Sequence, residues 1–228
     1  MNSYCLICHE GISAKISWNA LFSREKEVLI CESCKSKLEE ITGEQCDICC
    51  RPLHDAFRMC NDCTRWEENP EWKGALDKNI SLFQYNNFLK EVIARFKFRG
   101  DYILSRLFAE NVKKRISELD IDLITPIPLS TERQYERGFN QAEAIILNAG
   151  FDPVNLLTRI HSEKQSKKSR KERIRIPQVF QISAEINLEG KKVVLVDDIY
   201  TTGSTLRHAA KVLKQAGSEK VFSFTVAR

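Results

Sequence analysis

The stretch that decides the fold runs Val193-Val194-Leu195-Val196-Asp197-Asp198-Ile199-Tyr200-Thr201-Thr202-Gly203-Ser204-Thr205-Leu206. Its consecutive aliphatic residues, mostly β-branched, read as a strand buried on both faces, the pattern of a central parallel strand. Two adjacent carboxylates end the apolar run. A turn of hydroxyl side chains and one glycine follows. Residues 203–217 then read as an amphipathic helix stopped by Gly217.

A strand, a tight turn and a helix form the unit in which an open α/β sheet offers its carboxyl edge to ligands. The first N–H groups of a helix lack partners and carry partial positive charge, which suits a phosphate. Thr201, Thr202, Ser204 and Thr205 add hydroxyl donors, and Gly203 lets the backbone come close. Asp197 and Asp198 can each accept hydrogen bonds from vicinal sugar hydroxyls. The pattern fits a ribose 5-phosphate. In a plain strand–turn–helix the acids would only cap the helix, and the full strand-loop-helix context favours the pocket.

Outward from this unit, strands and helices alternate. Ile80–Tyr85 reads as a strand, and Leu89, Val92, Ile93 and Phe96 as a helix stopped at Gly100. Ile103, Leu104, Leu107, Phe108 and Val112 mark a second helix. Leu123–Pro128 reads as a strand leaving into a Pro-bounded turn, and residues 139–149 as a helix before Gly150. Val179–Ser183 and Val221–Val226 complete the strands. Between them Lys164, Lys167, Lys168, Arg170, Lys171, Arg173 and Arg175 form a basic segment expected to be an exposed, mobile loop. The alternation predicts an α/β layer: a largely parallel sheet flanked by helices.

The chain has 228 residues, 43% hydrophobic and 29% charged, a globular balance that excludes wholesale disorder. No apolar run reaches the ~18–20 residues that cross a bilayer. The start, Met1-Asn2-Ser3-Tyr4-Cys5, lacks a basic residue followed by an apolar stretch. A soluble cytoplasmic protein without membrane insertion is expected. The net charge of +4 is unevenly spread: residues 1–76 hold 9 Lys/Arg against 13 Asp/Glu, and residues 77–228 hold 26 against 18. A basic C-terminal part points to phosphate-bearing partners.

All nine cysteines lie between Cys5 and Cys63, and eight form Cys-x-x-Cys pairs: Cys5/Cys8, Cys31/Cys34, Cys46/Cys49 and Cys60/Cys63. Two intervening residues let a tight knuckle aim both sulfurs at one ion, and zinc takes four thiolates at about 2.3 Å. The pairs therefore predict two closed structural zinc sites. Disulfides are rare in a reducing compartment, and a redox Cys-x-x-Cys normally occurs once. In-order pairing leaves 22 residues inside the first site and 10 inside the second. An interleaved pairing, or Cys50 in place of Cys49, satisfies the same count. His9 and His54 are read as surface residues. The apolar residues Ile7, Trp18, Leu21, Phe22 and Leu29 are too few to fold this front without metal. The expected division is a zinc-ribbon domain over 1–66, a connector over 67–78 and an α/β domain over 79–228.

The stretch from Val193 to Thr205 resembles the signature of type I phosphoribosyltransferases. The resemblance implies that Asp197 and Asp198 hold the ribose hydroxyls of phosphoribosyl pyrophosphate (PRPP), delivered with Mg2+, and that Thr201, Thr202, Gly203, Ser204 and Thr205 hold its 5′-phosphate. Pro126-Ile127-Pro128 with Arg133, Arg137, Gly138, Phe139, Asn140 and Gln141 resembles the pyrophosphate side of such sites, and the basic segment 161–175 falls where that family has a lid. Thr201 stands where 6-oxopurine transferases place a carboxylate, which argues against hypoxanthine or guanine. Joined to the paired cysteines, Lys97-Phe-Arg-Gly-Asp101, Arg137-Gly-Phe-Asn-Gln141 and Gln165-Ser166 resemble the ComF (ComFC) competence family along nearly the whole chain. That implies a role in natural transformation: uptake and handling of single-stranded DNA, with a ComFA-type helicase and recombination mediators as partners, and recruitment to a membrane-associated uptake complex. Trp66, Trp72, Tyr85, Phe96, Phe98 and Tyr102 are candidate stacking surfaces for the strand. The alternative is a working transferase, with Asp197, Asp198, Arg133 and Arg137 as its catalytic groups and pyrophosphate as its leaving group.

Overall fold

The computed structural model describes residues 3–12, 27–53, 57–160, 179–183 and 186–228. The basic segment 161–175, Trp18, Leu21, Phe22 and His54 lie outside the described residues.

The first elements are short: strands β1 (Ser3–Tyr4) and β2 (Gly11–Ile12), then helices α1 (Glu32–Lys35) and α2 (Asn61–Glu68). Strand β3 (Lys78–Phe83) leads into helix α3 (Asn87–Phe98), a 3-10 turn at Tyr102–Ser105 and helix α4 (Arg106–Ser117). Strand β4 (Leu123–Pro126) is followed by helices α5 (Thr131–Arg137) and α6 (Gln141–Asn148). Strands β5 (Leu157–Arg159) and β6 (Phe180–Ile182) precede strand β7 (Lys192–Ile199), helix α7 (Ser204–Gln215) and strand β8 (Lys220–Ala227).

Strands β3, β8, β7 and β4 form one sheet in that order, and every pairing is parallel. β7 is central and buried on both faces, as its aliphatic run predicts. Val193 and Leu195 face a cluster with Leu206, Ala209, Ala210 and Leu213 of α7. Val194 and Val196 face the opposite cluster, with Leu89, Ile93 and Phe96 of α3, Phe108 and Val112 of α4, and Ile145 and Ile146 of α6. The period-2 alternation of a strand thus divides four adjacent residues between two layers. Each fully buried side chain contributes roughly 1.5–3 kcal/mol, so Val194→Asp would break the central layer.

Val179–Ser183 does not join this sheet. Its strand, β6, pairs antiparallel with β5 to make a separate ribbon. The residues 67–78, expected as a connector, begin with the end of α2 and carry Trp72, 3% exposed, beside Trp66 of α2, 8% exposed. The two tryptophans meet edge-on at 5.4 Å, and Trp72 packs on His208 of α7. Helix α5 carries no buried residue and so lacked an apolar signal.

The cysteine-rich front straddles the β3 edge of the sheet. Cys5, Ile7 and Cys34 pack into the core layer of α3, α4 and α6. Cys46, Cys49, Cys60 and Cys63 pack into the layer of α7. Between the two groups, Ile41 N–H donates to the Leu82 carbonyl and Gln84 N–H to the Glu39 carbonyl, which covers the open edge of β3.

Candidate functional site

The parallel sheet puts the carboxyl ends of all its strands on one side. Asp197 and Asp198 lie at that edge of β7, Pro126 at that edge of β4. The pleat separates the two acids. Asp198 is buried and forms an ion pair with Lys97 Nζ at 2.6 Å. The Asp197 carboxylate accepts a hydrogen bond from the Asp198 N–H at 2.9 Å. Burial, and next the charge of Asp198, push the Asp197 carboxyl up to about 7, with Lys97 opposing. Carboxylates at such an edge can accept hydrogen bonds from a neutral diol.

The turn after β7 has a defined shape. Gly203 has φ +75°, and a side chain there would collide with the Tyr200 hydroxyl and the Arg207 guanidinium. Only glycine fits both demands. Helix α7 starts at Ser204 with no side-chain cap. Among the described residues, the cap-like contact to its first amides is a long 3.4 Å bond from Ser204 N–H to Thr202 Oγ1, and a helix start of this kind can receive an anion. Thr201 and Thr205 are exposed at the mouth.

Two arginines, Arg137 and Arg159, lie near the acids, with Arg133 beside them. Desolvation holds Arg137 below its usual value, Asp198 and Asp197 oppose, and Arg133 repels it. Desolvation and Arg133 likewise lower Arg159, with Asp197 opposing. The structure therefore brings Arg137, expected from sequence, within electrostatic reach of both acids, whereas Arg133, also expected, is exposed and neighbours Arg137 and Arg159. Arg159 was not foreseen; as the last residue of β5, just before the basic segment, it had only its charge to mark it. Lys97 was visible only inside a motif, with no role attached. Arg137 Nε is buried and has no acceptor among the described residues, as expected of a donor waiting for an anion.

The Arg137–Gln141 motif is largely architectural. Arg137 Nη1 donates to Gln141 Oε1 at 2.8 Å, Gly138 ends α5 at φ +77°, and Phe139 packs on Phe96 and Tyr102. Asn140 caps α6 by accepting from the Ala142 and Glu143 N–H groups, and its amide donates to the Ile127 carbonyl. Gln141 is buried and donates to the Phe139 carbonyl. These bonds hold the arginine against the sheet edge.

The cysteines gather in order: Cys5, Cys8, Cys31 and Cys34 in one group, Cys46, Cys49, Cys60 and Cys63 in the other, the sulfurs of each within 4.8 Å of one another. Each group combines a turn with a helix start. In the first, His9 N–H donates to the Cys5 carbonyl, His9 has φ +63°, and Cys31 precedes α1. In the second, Cys50 N–H donates to the Cys46 carbonyl, Cys50 has φ +59°, and Cys60 precedes α2. Cys50 is not a member: its thiol donates to the Asn79 carbonyl at 2.9 Å. Crowding splits the second group, with Cys46 held far below the usual thiol value by bonds from Cys49 and Cys63, and Cys63 pushed far above it. Four sulfurs this close can hold a metal ion, whose charge relieves that crowding.

Of the expected stacking aromatics, Trp66, Trp72 and Phe96 are buried in packing, so they offer no surface. Tyr85, Phe98 and Tyr102 are exposed, and so is Tyr135 on α5, which had not been singled out. No helix among the described residues is long and apolar enough to cross a membrane.

Comparison with known proteins agrees with this architecture. Residues 139–228 match the phosphoribosyl transferase domain family. Competence protein ComFC of Bacillus subtilis is 38% identical, over 98% of this chain and 94% of that protein. Competence protein ComFC of Streptococcus pneumoniae is 32% identical, over 98% and 99%. Competence protein F of Haemophilus influenzae is 30% identical, over 87% and 90%. Similarity sustained through both the cysteine-rich front and the sheet leaves one conclusion: the chain belongs to the ComFC competence protein family.

Proposed function

We propose that this protein is a competence accessory factor that handles incoming single-stranded DNA and carries a ligand pocket for PRPP. The observation that carries the pocket is the meeting of Asp197 and Asp198 with Arg137, and of Asp197 with Arg159, beside the start of α7, which has no side-chain cap among the described residues. Asp197 and Asp198 would accept from the ribose hydroxyls. The turn Thr201–Thr205 would receive the 5′-phosphate, and the arginines the pyrophosphate, with Mg2+ neutralising part of its charge. The two four-cysteine groups would each hold a structural Zn2+. The region 1–66 would act as the zinc-ribbon part, 67–78 as its junction and 79–228 as the ligand-binding domain.

For the strand itself, the rim of the pocket combines aromatic and basic side chains. Phe98 and Tyr135 are 70% and 91% exposed. The Arg137 guanidinium lies 5.6 Å from the Phe98 ring. Arg99, just after α3, and Arg133 of α5 are exposed beside them. Stacking on such rings is worth about 1–3 kcal/mol per base, and backbone contacts make binding salt-dependent. DNA-utilization proteins of Salmonella typhimurium and Escherichia coli, 24% and 27% identical, carry a name in keeping with this reading.

The test is calorimetry with PRPP and Mg2+ on the metal-loaded protein, repeated with a short DNA single strand present. The proposal expects binding of each, loss of strand binding at high salt, and a reciprocal change in affinity. Absence of strand binding at low salt overturns the DNA role, and absence of PRPP binding overturns the pocket.

A further inference from the structure

The second four-cysteine group touches the candidate phosphate turn through two arginines. Arg207, in the first turns of α7, is fully buried. Its Nη2 donates to Cys63 Sγ at 3.5 Å, its Nη1 makes a short bond to the Tyr200 hydroxyl, and its guanidinium lies 5.1 Å from the Trp66 ring. Arg228 follows β8. Its Nη2 donates to Cys49 Sγ at 3.1 Å and its Nε to the Cys49 carbonyl at 3.1 Å. Its Nη1 donates to the Thr201 carbonyl at 3.0 Å, and its guanidinium lies 4.7 Å from the Tyr200 ring. A third link is Trp66 of α2, whose Nε1 donates to the Thr202 carbonyl at 3.2 Å. Gly203 then rests directly on the Tyr200–Arg207 pair.

Every residue from Tyr200 to Gly203 is thus held by a group that also touches the second cysteine cluster or its helix. Sulfur accepts such bonds best as a thiolate, the form a bound cation enforces. Loss of the ion would free Cys49 and Cys63 Sγ to move, and the guanidinium groups that hold those sulfurs also hold the turn. We propose that Arg207 and Arg228 are positioning residues that couple occupancy of the Cys46/Cys49/Cys60/Cys63 site to the shape of the Tyr200–Thr205 turn, so that ligand affinity depends on that ion. The consequence for affinity rests on the pocket reading above, whereas the coupling itself does not.

The test uses the full zinc-loaded chain and reads amide hydrogen exchange across Tyr200–Thr205 together with metal content. Arg228→Gln should keep both ions and a cooperative melt, yet speed exchange in the turn by about tenfold and weaken PRPP binding by a similar factor. Arg228→Lys keeps the charge but not the fork, and should not restore either. Arg95→Gln, which unhooks only the first cluster, should leave the turn unchanged. Unchanged turn exchange in Arg228→Gln, or an equal change in Arg95→Gln, overturns the inference. Where Arg228→Gln loses metal, the wild-type protein with a slow chelator decides: turn exchange must speed with departure of the second ion and not of the first. Where the wild-type protein binds no PRPP, only the pocket falls, because exchange still reads the coupling.

Discussion

The two cysteine clusters share one construction and differ in what surrounds them. Both pair a turn that ends in a residue of positive φ with the start of a helix. In the first, Cys8 is exposed and Cys31 half-buried; in the second, all four members are buried. The first is gripped by its backbone: Arg95 of α3 donates to the Ile7 carbonyl at 2.6 Å and the Leu6 carbonyl at 3.2 Å, and pairs with Asp101 at 2.7 Å. The second is gripped by its sulfurs as well, through Arg207 and Arg228, the latter donating also to the Cys49 carbonyl. A carbonyl is indifferent to whether a metal is bound, and a sulfur is not. The same ligand spacing therefore yields a brace at one face of the sheet and, at the other, a cluster in contact with the candidate ligand turn.

The contrast predicts unequal costs of disruption. Cys46→Ser should lower unfolding free energy by about 3–5 kcal/mol, the range for breaking a buried charge cluster, while Cys8→Ser should cost less than half as much. Urea melts with metal analysis read both, and equal losses would erase the distinction. Asp197→Asn with Asp198→Asn should weaken PRPP binding by at least about 100-fold, since two charge-assisted hydrogen bonds of roughly 1.5–3 kcal/mol each disappear. Calorimetry reads the loss, and a melt that stays cooperative, though lowered by the loss of the Lys97–Asp198 pair, shows that the sheet survives.

Gly203→Ala strikes the turn without touching a cysteine. The left-handed backbone alone costs about 1–2 kcal/mol, and the collision with Tyr200 and Arg207 adds to it. Differential scanning calorimetry should show the lower melting temperature while metal content stays at the wild-type level. The pH dependence follows from Asp197, whose carboxyl is held at about 7 by burial and by Asp198, above the ordinary ~3.9. The folded state then binds more protons than the unfolded chain across that window, so this group's contribution to stability falls as pH rises from about 4 through 7. PRPP affinity should change the opposite way, rising through about 7 as the carboxylate ionises and accepts from the sugar. Asp197→Asn should flatten both profiles in parallel melts and titrations. The smallest effect is expected at Arg95→Lys, about 1 kcal/mol in the melt, with PRPP affinity unaltered.

Much of this molecule was legible in its chain. The Val193–Val196 run requires burial on both faces, and the twin acids followed by hydroxyls and a glycine mark a sheet edge, because strand period and helix start are local properties. The spacing of the cysteine pairs requires turns that aim sulfurs inward, and the in-order grouping is the one observed. Cys50 could be separated from Cys49 only by its contact with Asn79, a residue 29 positions away in the chain. Helix α5 has no buried face, so no apolar period could reveal it. Tertiary structure alone decided which cluster meets the candidate ligand turn, that Lys97 pairs with Asp198, that Arg159 lies near Asp197, and that Arg207 and Arg228 bridge cysteine sulfurs and the turn. Those contacts join residues far apart in the chain, and a charged side chain carries no local signature of the partner that packing will bring to it.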